Sequence, residues 1–332
     1  MEDNRLLQCT VTTERWPYHT PFRIARGVET DLAVIVVRLT NARGQTGWGE
    51  ASGVDYEGES LESMIGQIDQ VRRGLSDGLT RAALQDLLPA GGARNAVDCA
   101  LWDLEAKATG IPAWRTAGLD RVGPVTTAMT IGIGSNEEVR AKARAIRDWP
   151  LIKMKADAVS HLGPVRIAHQ ECPAARFIVD ANQSWTVDLL NQLGPELAAL
   201  NVALIEQPVK KGTDAQLAGY TGTIPLAADE SCVDRSSLPG LAELYQVVNI
   251  KLDKTGGLTE ALALAADARA RGFGIMIGCM AGTSLAMAPG AIIAQQAQFI
   301  DLDGPLLHSS DRPNGLRYER GIMSFPAPAF WG

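Results

Sequence analysis

A chain of 332 residues with 46% apolar and 21% charged side chains has an ordinary soluble composition, long enough for two domains or one large α/β barrel with additions. Its formal net charge of −7 argues against nucleic acid or an anionic membrane as the main partner, so an acidic substrate would need local lysine or arginine. The five cysteines (Cys9, Cys99, Cys172, Cys232 and Cys279) share no redox or metal spacing, the opening MEDNRLLQCT lacks a signal-peptide pattern, and no apolar run reaches the roughly 18 residues of a membrane span. A cytoplasmic location is the expectation.

Residues 1–117 read as an α+β capping domain. Ala33–Leu39 is a strand by its β-branched content, followed by the turn residues Asn41-Ala42-Arg43-Gly44. Helical stretches follow from Ser60 to about Leu75, Thr80 to Leu88 and Arg94 to Thr109, the last closed by Gly110 and Pro112. Residues 118–305 then repeat one pattern. Eight short apolar runs start roughly 25 residues apart, the length of a βα unit, at Val125–Ile131, Leu151–Lys155, Phe177–Asp180, Val202–Glu206, Ile224–Asp229, Val247–Lys251, Gly274–Gly278 and Gln298–Asp303. Runs of this kind belong to a parallel sheet covered on both faces, and eight in succession predict a (β/α)8-type barrel. Residues 306–332, with Pro313, Pro326 and Pro328, read as a return over the barrel mouth or to the cap.

The strand ends carry the chemistry. They read Lys153-Met154-Lys155, Val179-Asp180-Ala181-Asn182, Ile205-Glu206-Gln207-Pro208, Ala228-Asp229-Glu230-Ser231, Asn249-Ile250-Lys251 and Asp301-Leu302-Asp303. In a barrel of this kind the C-terminal strand ends form the active face. One aspartate after a strand is commonly a helix cap. Three carboxylates on three consecutive strands are harder to explain so, because they repel unless a hard cation lies among them. Asp180, Glu206 and Asp229 are therefore the candidate Mg²⁺ ligands, with Asn182 orienting the site and Glu230 turned elsewhere, toward a neighbouring lysine. Lys153 and Lys155, two apart, face the barrel interior together. Their repulsion favours a neutral amine able to act as a base. Lys251 comes from the strand across the barrel, so a substrate between Lys155 and Lys251 meets one amine on each face.

These motifs, with Ala93–Leu104 (ARNAVDCALWDL), resemble the enolase superfamily and, within it, the muconate-lactonizing-enzyme subgroup. The stretches Asn249–Leu258 (NIKLDKTGGL), Ile277–Met280 (IGCM) and Asp301–Pro305 (DLDGP) are similar to those of dipeptide epimerases, those acting on L-Ala-D/L-Glu in particular. The resemblance implies one Mg²⁺ per subunit and a two-base 1,1-proton transfer through an enediolate, with Lys155 and Lys251 as the bases and Lys153 beside the substrate carboxylate. It implies that Asp301 and Asp303 bind the free ammonium of the dipeptide. Two inward carboxylates on one strand would also attract a cation on electrostatic grounds alone. By the same resemblance Thr130 and Met280 contact substrate, and the stretch Pro17–Gly27 (PYHTPFRIARG) is a lid whose Arg26 pairs with the glutamate side chain. The implied setting is recycling of cell-wall peptides, and members of the family often assemble through their barrels, so a homo-oligomer is among the expectations.

Rival readings keep the fold and change the reaction. They include another dipeptide epimerase, an N-acyl amino acid racemase, and an o-succinylbenzoate synthase-like or cycloisomerase lyase. The Asp301/Asp303 pair discriminates against the lyases, whose substrates have no ammonium. A non-catalytic metal-bound binding protein has no need of opposed lysines. The four histidines, His19, His161, His169 and His308, show no zinc-ligand spacing.

Overall fold

The computed structural model describes residues 6–24 and 27–332. The cap opens with three antiparallel strands in the order β1 (Leu6–Ile24), β2 (Gly27–Asn41) and β3 (Thr46–Ala51). Three helices follow: α1 (Leu61–Ser76), α2 (Arg81–Leu87) and α3 (Gly92–Thr109). Ser60 and Thr80 cap α1 and α2, each accepting a backbone N–H with its hydroxyl, and Gly110 ends α3 at φ 73°. One face of the sheet, Ile35, Val37 and Leu39, packs on Met64, Ile68, Val97 and Ala100 of the helices. The approach of α3 to β3 needs glycine. A Cβ on Gly47 or Gly49 would lie 2.2 Å from Ala100 O or 2.0 Å from Ala96 O.

Beyond α4 (Ala113–Thr116) the chain builds the α/β barrel. The run Val125–Ile131, read as one strand, is two. β4 (Val125–Thr126) leaves to pair with a late hairpin, and only β5 (Met129–Ile131) joins the barrel. The break falls at Thr127, whose N–H donates to Gly321 O at 2.8 Å, while Ala128 N–H donates to Ile300 O at 2.8 Å. Alternating with strands come α5 (Asn136–Ala145), β6 (Leu151–Lys155), α6 (Leu162–Glu171), β7 (Arg176–Asp180), α7 (Val187–Ala199) and β8 (Val202–Glu206). Then follow β9 (Leu226–Ala228), α8 (Leu238–Leu241), β10 (Val247–Ile250), α9 (Leu252–Thr255), α10 (Leu258–Ala270), β11 (Gly274–Ile277), α11 (Ser284–Ala294) and β12 (Phe299–Ile300). The eight strands β5 to β12 are parallel and ordered as in the chain. β9 and β12 are shorter than the sequence runs, because the polar residues at their ends leave the ladder to reach the mouth. The late hairpin is β13 (Tyr318–Glu319) and β14 (Ile322–Met323). The C-terminus reaches the cap: Trp331 Nε1 donates to Trp48 O and Gly332 N–H to Asp103 Oδ1. Among the described residues no helix is long and apolar enough to cross a membrane.

Cap and barrel meet along α3. Arg94 donates to Gly256 O (3.2 Å) and Thr255 O (2.7 Å), and Asp98 accepts from Thr259 N–H (2.9 Å) and its hydroxyl (2.6 Å). Gly257, at φ 115° and ψ 177°, sits in a backbone region that only glycine occupies easily, and a Cβ there would stand 2.6 Å from Asp98. Gly257→Ala should therefore lower the unfolding free energy by roughly 3 kcal/mol, strain and clash together; urea unfolding that shows no loss would contradict this packing. On the same seam Asp253 accepts Gly53 N–H at 3.0 Å, and burial raises its carboxyl to about 7 from 3.8 against that bond. A folded-state pKa above the unfolded one means stability fully present below about pH 4 and lost as pH rises through 7. Asp253→Asn should flatten part of the fall in urea midpoint between pH 5 and pH 8; slopes identical to the parent would refute the assignment.

Candidate active site at the barrel mouth

Inward positions recur every second residue along a strand. At the N-terminal end, Ala128, Leu151, Ile178, Leu204, Ala227, Val247, Met276 and Phe299, one from each barrel unit, form a single apolar cluster. Two residues further on, the same positions read Thr130, Lys153, Asp180, Glu206, Asp229, Asn249, Gly278 and Asp301. The parity of each strand thus carries its polar end group to the C-terminal face. Lys155 and Lys251 each stand four residues past their strand's member of the apolar ring. Their strands, β6 and β10, are four apart in a ring of eight, so the two amines approach from opposite sides. Gly278 keeps room for one of them, since a Cβ there would lie 3.1 Å from Lys251 Cε.

The mouth opens into a cavity of about 440 Å³ under the cap. Lys153, Lys155, Asn182, Asp229, Glu230, Lys251, Asp301 and Asp303 line it, with Thr130, Met280, Leu307 and, from the cap, Tyr18, Asp31, Leu32 and Tyr56. That is the size and mixed lining of a small-molecule site.

Carboxylates and ammonium groups interlock across the mouth. Lys153 Nζ lies 3.1 Å from Asp180 Oδ2, 2.9 Å from Glu206 Oε2 and 2.8 Å from Asp301 Oδ2. Lys155 pairs with Asp180 at 2.7 Å and Lys251 with Asp229 at 2.7 Å. Lys254, from α9, holds the other oxygen of Asp229 at 2.6 Å and Asn249 O at 2.9 Å. Asn249 Nδ2 donates to Glu206 Oε1 at 2.9 Å. Burial alone would lower Lys153 and Lys251, but Asp301 and Glu206 around the first, and Asp229 beside the second, hold both well above the usual lysine range. Burial would likewise raise Asp180 and Asp229; their lysines overcome it and hold both far below the usual carboxylate range. Glu206 goes the other way. Burial, with Asp180 and Asp229 nearby, pushes it to about 8.

The charges do not balance. Counted as ionised, Asp180, Glu206, Asp229, Glu230, Asp301 and Asp303 outnumber Lys153, Lys155, Lys251 and Lys254 by two, and Glu230 Oε2 and Asp301 Oδ1 are buried without a hydrogen bond. An all-oxygen set with two negative charges in excess fits a hard divalent cation. Among the described residues no three carboxylates already form an open cage; the lysines stand between Asp180, Glu206 and Asp229.

The structure brings together every expected site residue except Arg26, which lies outside the described residues. Glu230 departs from expectation: it lines the cavity and accepts from Gln183 Nε2 at 3.1 Å rather than from a lysine, because Lys251 and Lys254 are both committed to Asp229. Asn182, at φ 42°, donates its N–H to Asp180 Oδ1 at 3.0 Å. Asp301 and Asp303 are only partly free. Asp301 Oδ2 is tied to Lys153, and Asp303 Oδ2 accepts Thr130 N–H at 2.7 Å. Burial and Asp301 raise Asp303 to about 7. Lys254 and Asn249 also belong to the site: Lys254 lies one helical turn after Lys251, and Asn249 two residues before it on β10.

Residues 6–118 match the model of the mandelate racemase/muconate lactonizing enzyme N-terminal domain, and residues 137–328 match the enolase C-terminal domain-like model. The L-Ala-D/L-Glu epimerase of Escherichia coli K12 is 44% identical over 94% of this chain and 98% of its own length. An N-acetyl-D-glutamate racemase of a Pseudoalteromonas species is 42% identical over 86% of this chain and 91% of its own. An Agrobacterium tumefaciens enolase family member with homology to dipeptide epimerases, solved with sodium and L-Ala-L-Glu, superposes with a TM-score of 0.95 at 41% identity, covering 98% of this chain and 99% of that one. A Methylococcus capsulatus dipeptide epimerase, solved with Mg and L-Arg-D-Lys, gives 0.88 at 30% identity and covers 97% of both chains. This chain therefore belongs to the mandelate racemase/muconate lactonizing enzyme family of the enolase superfamily, and the two sequence relatives above are an epimerase and a racemase, isomerases acting on amino-acid derivatives.

Proposed function

We propose that the chain is a Mg²⁺-dependent dipeptide epimerase that inverts the C-terminal residue of its substrate, with L-Ala-D/L-Glu as the substrate. The observation that carries this is the pair of opposed amines, Lys155 and Lys251, flanking one cavity whose far wall holds Asp301 and Asp303. A dipeptide fits that polarity. Its ammonium faces Asp303 and the unpartnered Oδ1 of Asp301, and its carboxylate lies toward Lys153. Asp180, Glu206 and Asp229 would hold the cation, which when bound neutralises their charge and draws electrons from the substrate carboxylate. One lysine, as neutral amine, takes the α-proton. Lys153 balances the charge that builds on the carboxylate oxygens. The opposite lysine, as ammonium, returns a proton to the other face, so the two exchange protonation states in each turnover. The Asp229 ion pair holds Lys251 protonated; a cation bound at that carboxylate would weaken this hold.

The 42% identical N-acetyl-D-glutamate racemase supports a second reading, since an acylated glutamate would use the same lysines without an ammonium. Proton NMR in D₂O with Mg²⁺ separates the two. The expected result is deuterium at the glutamate α-carbon of L-Ala-L-Glu and growth of the L-Ala-D-Glu signal. Exchange confined to N-acetylglutamate would overturn the dipeptide reading. Cation binding is checked by thermal unfolding: Mg²⁺ at a hundred times its Kd should stabilise by about 2.7 kcal/mol, and Glu206→Gln should abolish the shift. Because Glu206 must lose its proton to bind, Mg²⁺ affinity should rise from pH 6 to pH 8. Affinity that is flat across that range would count against Glu206 as a ligand.

A further inference from the structure

The edge of β1 changes partner beside the cavity. It pairs with β2 as far as Pro17 and again from Phe22. Between them Tyr18 bridges to His308 instead, and the two rings stack at 4.9 Å and 17°. Ser309 N–H donates to Pro17 O at 2.8 Å and its hydroxyl to Tyr18 O at 3.2 Å. Tyr18, with Asp31 and Leu32 of β2, forms one wall of the cavity, while Asp303 and Leu307, just upstream of His308, belong to the other. The segment after β12 therefore straps the hairpin onto the barrel.

Arg312 ends that strap. Its Nη2 lies 2.7 Å from Glu14 Oε2 on β1 and 2.7 Å from Glu50 Oε2 on β3. Its Nε lies 2.7 Å from Thr283 Oγ1 ahead of α11, and its guanidinium covers the Trp16 ring at 5.2 Å. Glu50 is fully buried and also accepts Thr283 N–H at 2.7 Å. Asp311, the preceding residue, accepts Ser284 N–H at 2.9 Å and so fixes the strap to the start of α11. Only a planar fork reaches Glu14, Glu50 and Thr283 at once while stacking on an indole; an ammonium does not.

We propose that Arg312 is a positioning residue that holds the Glu14–Tyr18 stretch of β1 in place as the cap-side wall of the cavity, acting through Glu14 and Trp16 without touching the substrate. The inference rests on the dipeptide reading for its kinetics. A wall contacts substrate equally before and during proton transfer, so loosening it should raise KM and spare kcat.

The test uses the full-length protein with Mg²⁺. Glu14→Gln cuts the hairpin arm and leaves Arg312 on Glu50, whereas Arg312→Lys keeps the charge beside Glu50 and loses the fork. In each, KM for L-Ala-L-Glu should rise about fivefold with kcat within about twofold. Amide exchange across residues 12–24 should quicken roughly tenfold while β3 and α3 are unchanged. The double variant should be no worse than Arg312→Lys alone, since losing the fork already cuts the Glu14 link. An unchanged KM in both single variants, a fall in kcat alone, or exchange that quickens equally through β3 and α3 would overturn the proposal. If the parent turned over no dipeptide, the exchange data would still decide the strap, and the substrate reading would fail separately.

Discussion

The structure depends on keeping an excess of negative charge buried at one end of a barrel. Six carboxylates and four ammonium groups share a mouth where the surrounding side chains are almost all inaccessible to water. At such depth an unpaired carboxylate is costly, and attraction between partners repays the cost only when geometry is good. Lys153 answers three carboxylates at once, and Asp229 is held by two lysines. Glu206 is left worst placed, and its raised pKa records the shortfall. A divalent ion bound there would resolve the same imbalance and free the lysines from pure charge compensation.

Everything outside the mouth serves to hold it. Gly47 and Gly49 let α3 lie against β3, and α3 in turn presents Arg94 and Asp98 to the glycine turn Gly256-Gly257. That turn follows α9, the helix that carries Lys254 to Asp229. The cap thus reaches the site through the short stretch Lys251–Gly257, which reads KLDKTGG.

The alternation of apolar runs and helices was legible in the sequence because each strand carries its own periodicity. So was the joint pattern of lysines and carboxylates, since one residue parity sends them all to one face. The break between Thr126 and Met129 was not legible: a pairing with β14, nearly 200 residues later, decides it. Nor was the Glu14–Arg312–Glu50 cluster, whose members are far apart in sequence and ordinary as isolated charges. Glu230 was misplaced because the sequence does not show that Lys251 and Lys254 both turn to Asp229. Local pattern fixes which face a residue takes; tertiary pairing decides its partner.

The central claim is that two amines work on opposite faces of one carbon. The most direct measurement follows α-proton exchange in D₂O by Lys155→Ala and Lys251→Ala, each with L-Ala-L-Glu and L-Ala-D-Glu supplied separately. The account predicts that neither variant interconverts the epimers, while each exchanges the α-proton of one epimer only, and the two variants choose opposite epimers. Exchange of the same epimer by both variants, or interconversion at the parent rate by either, would contradict it.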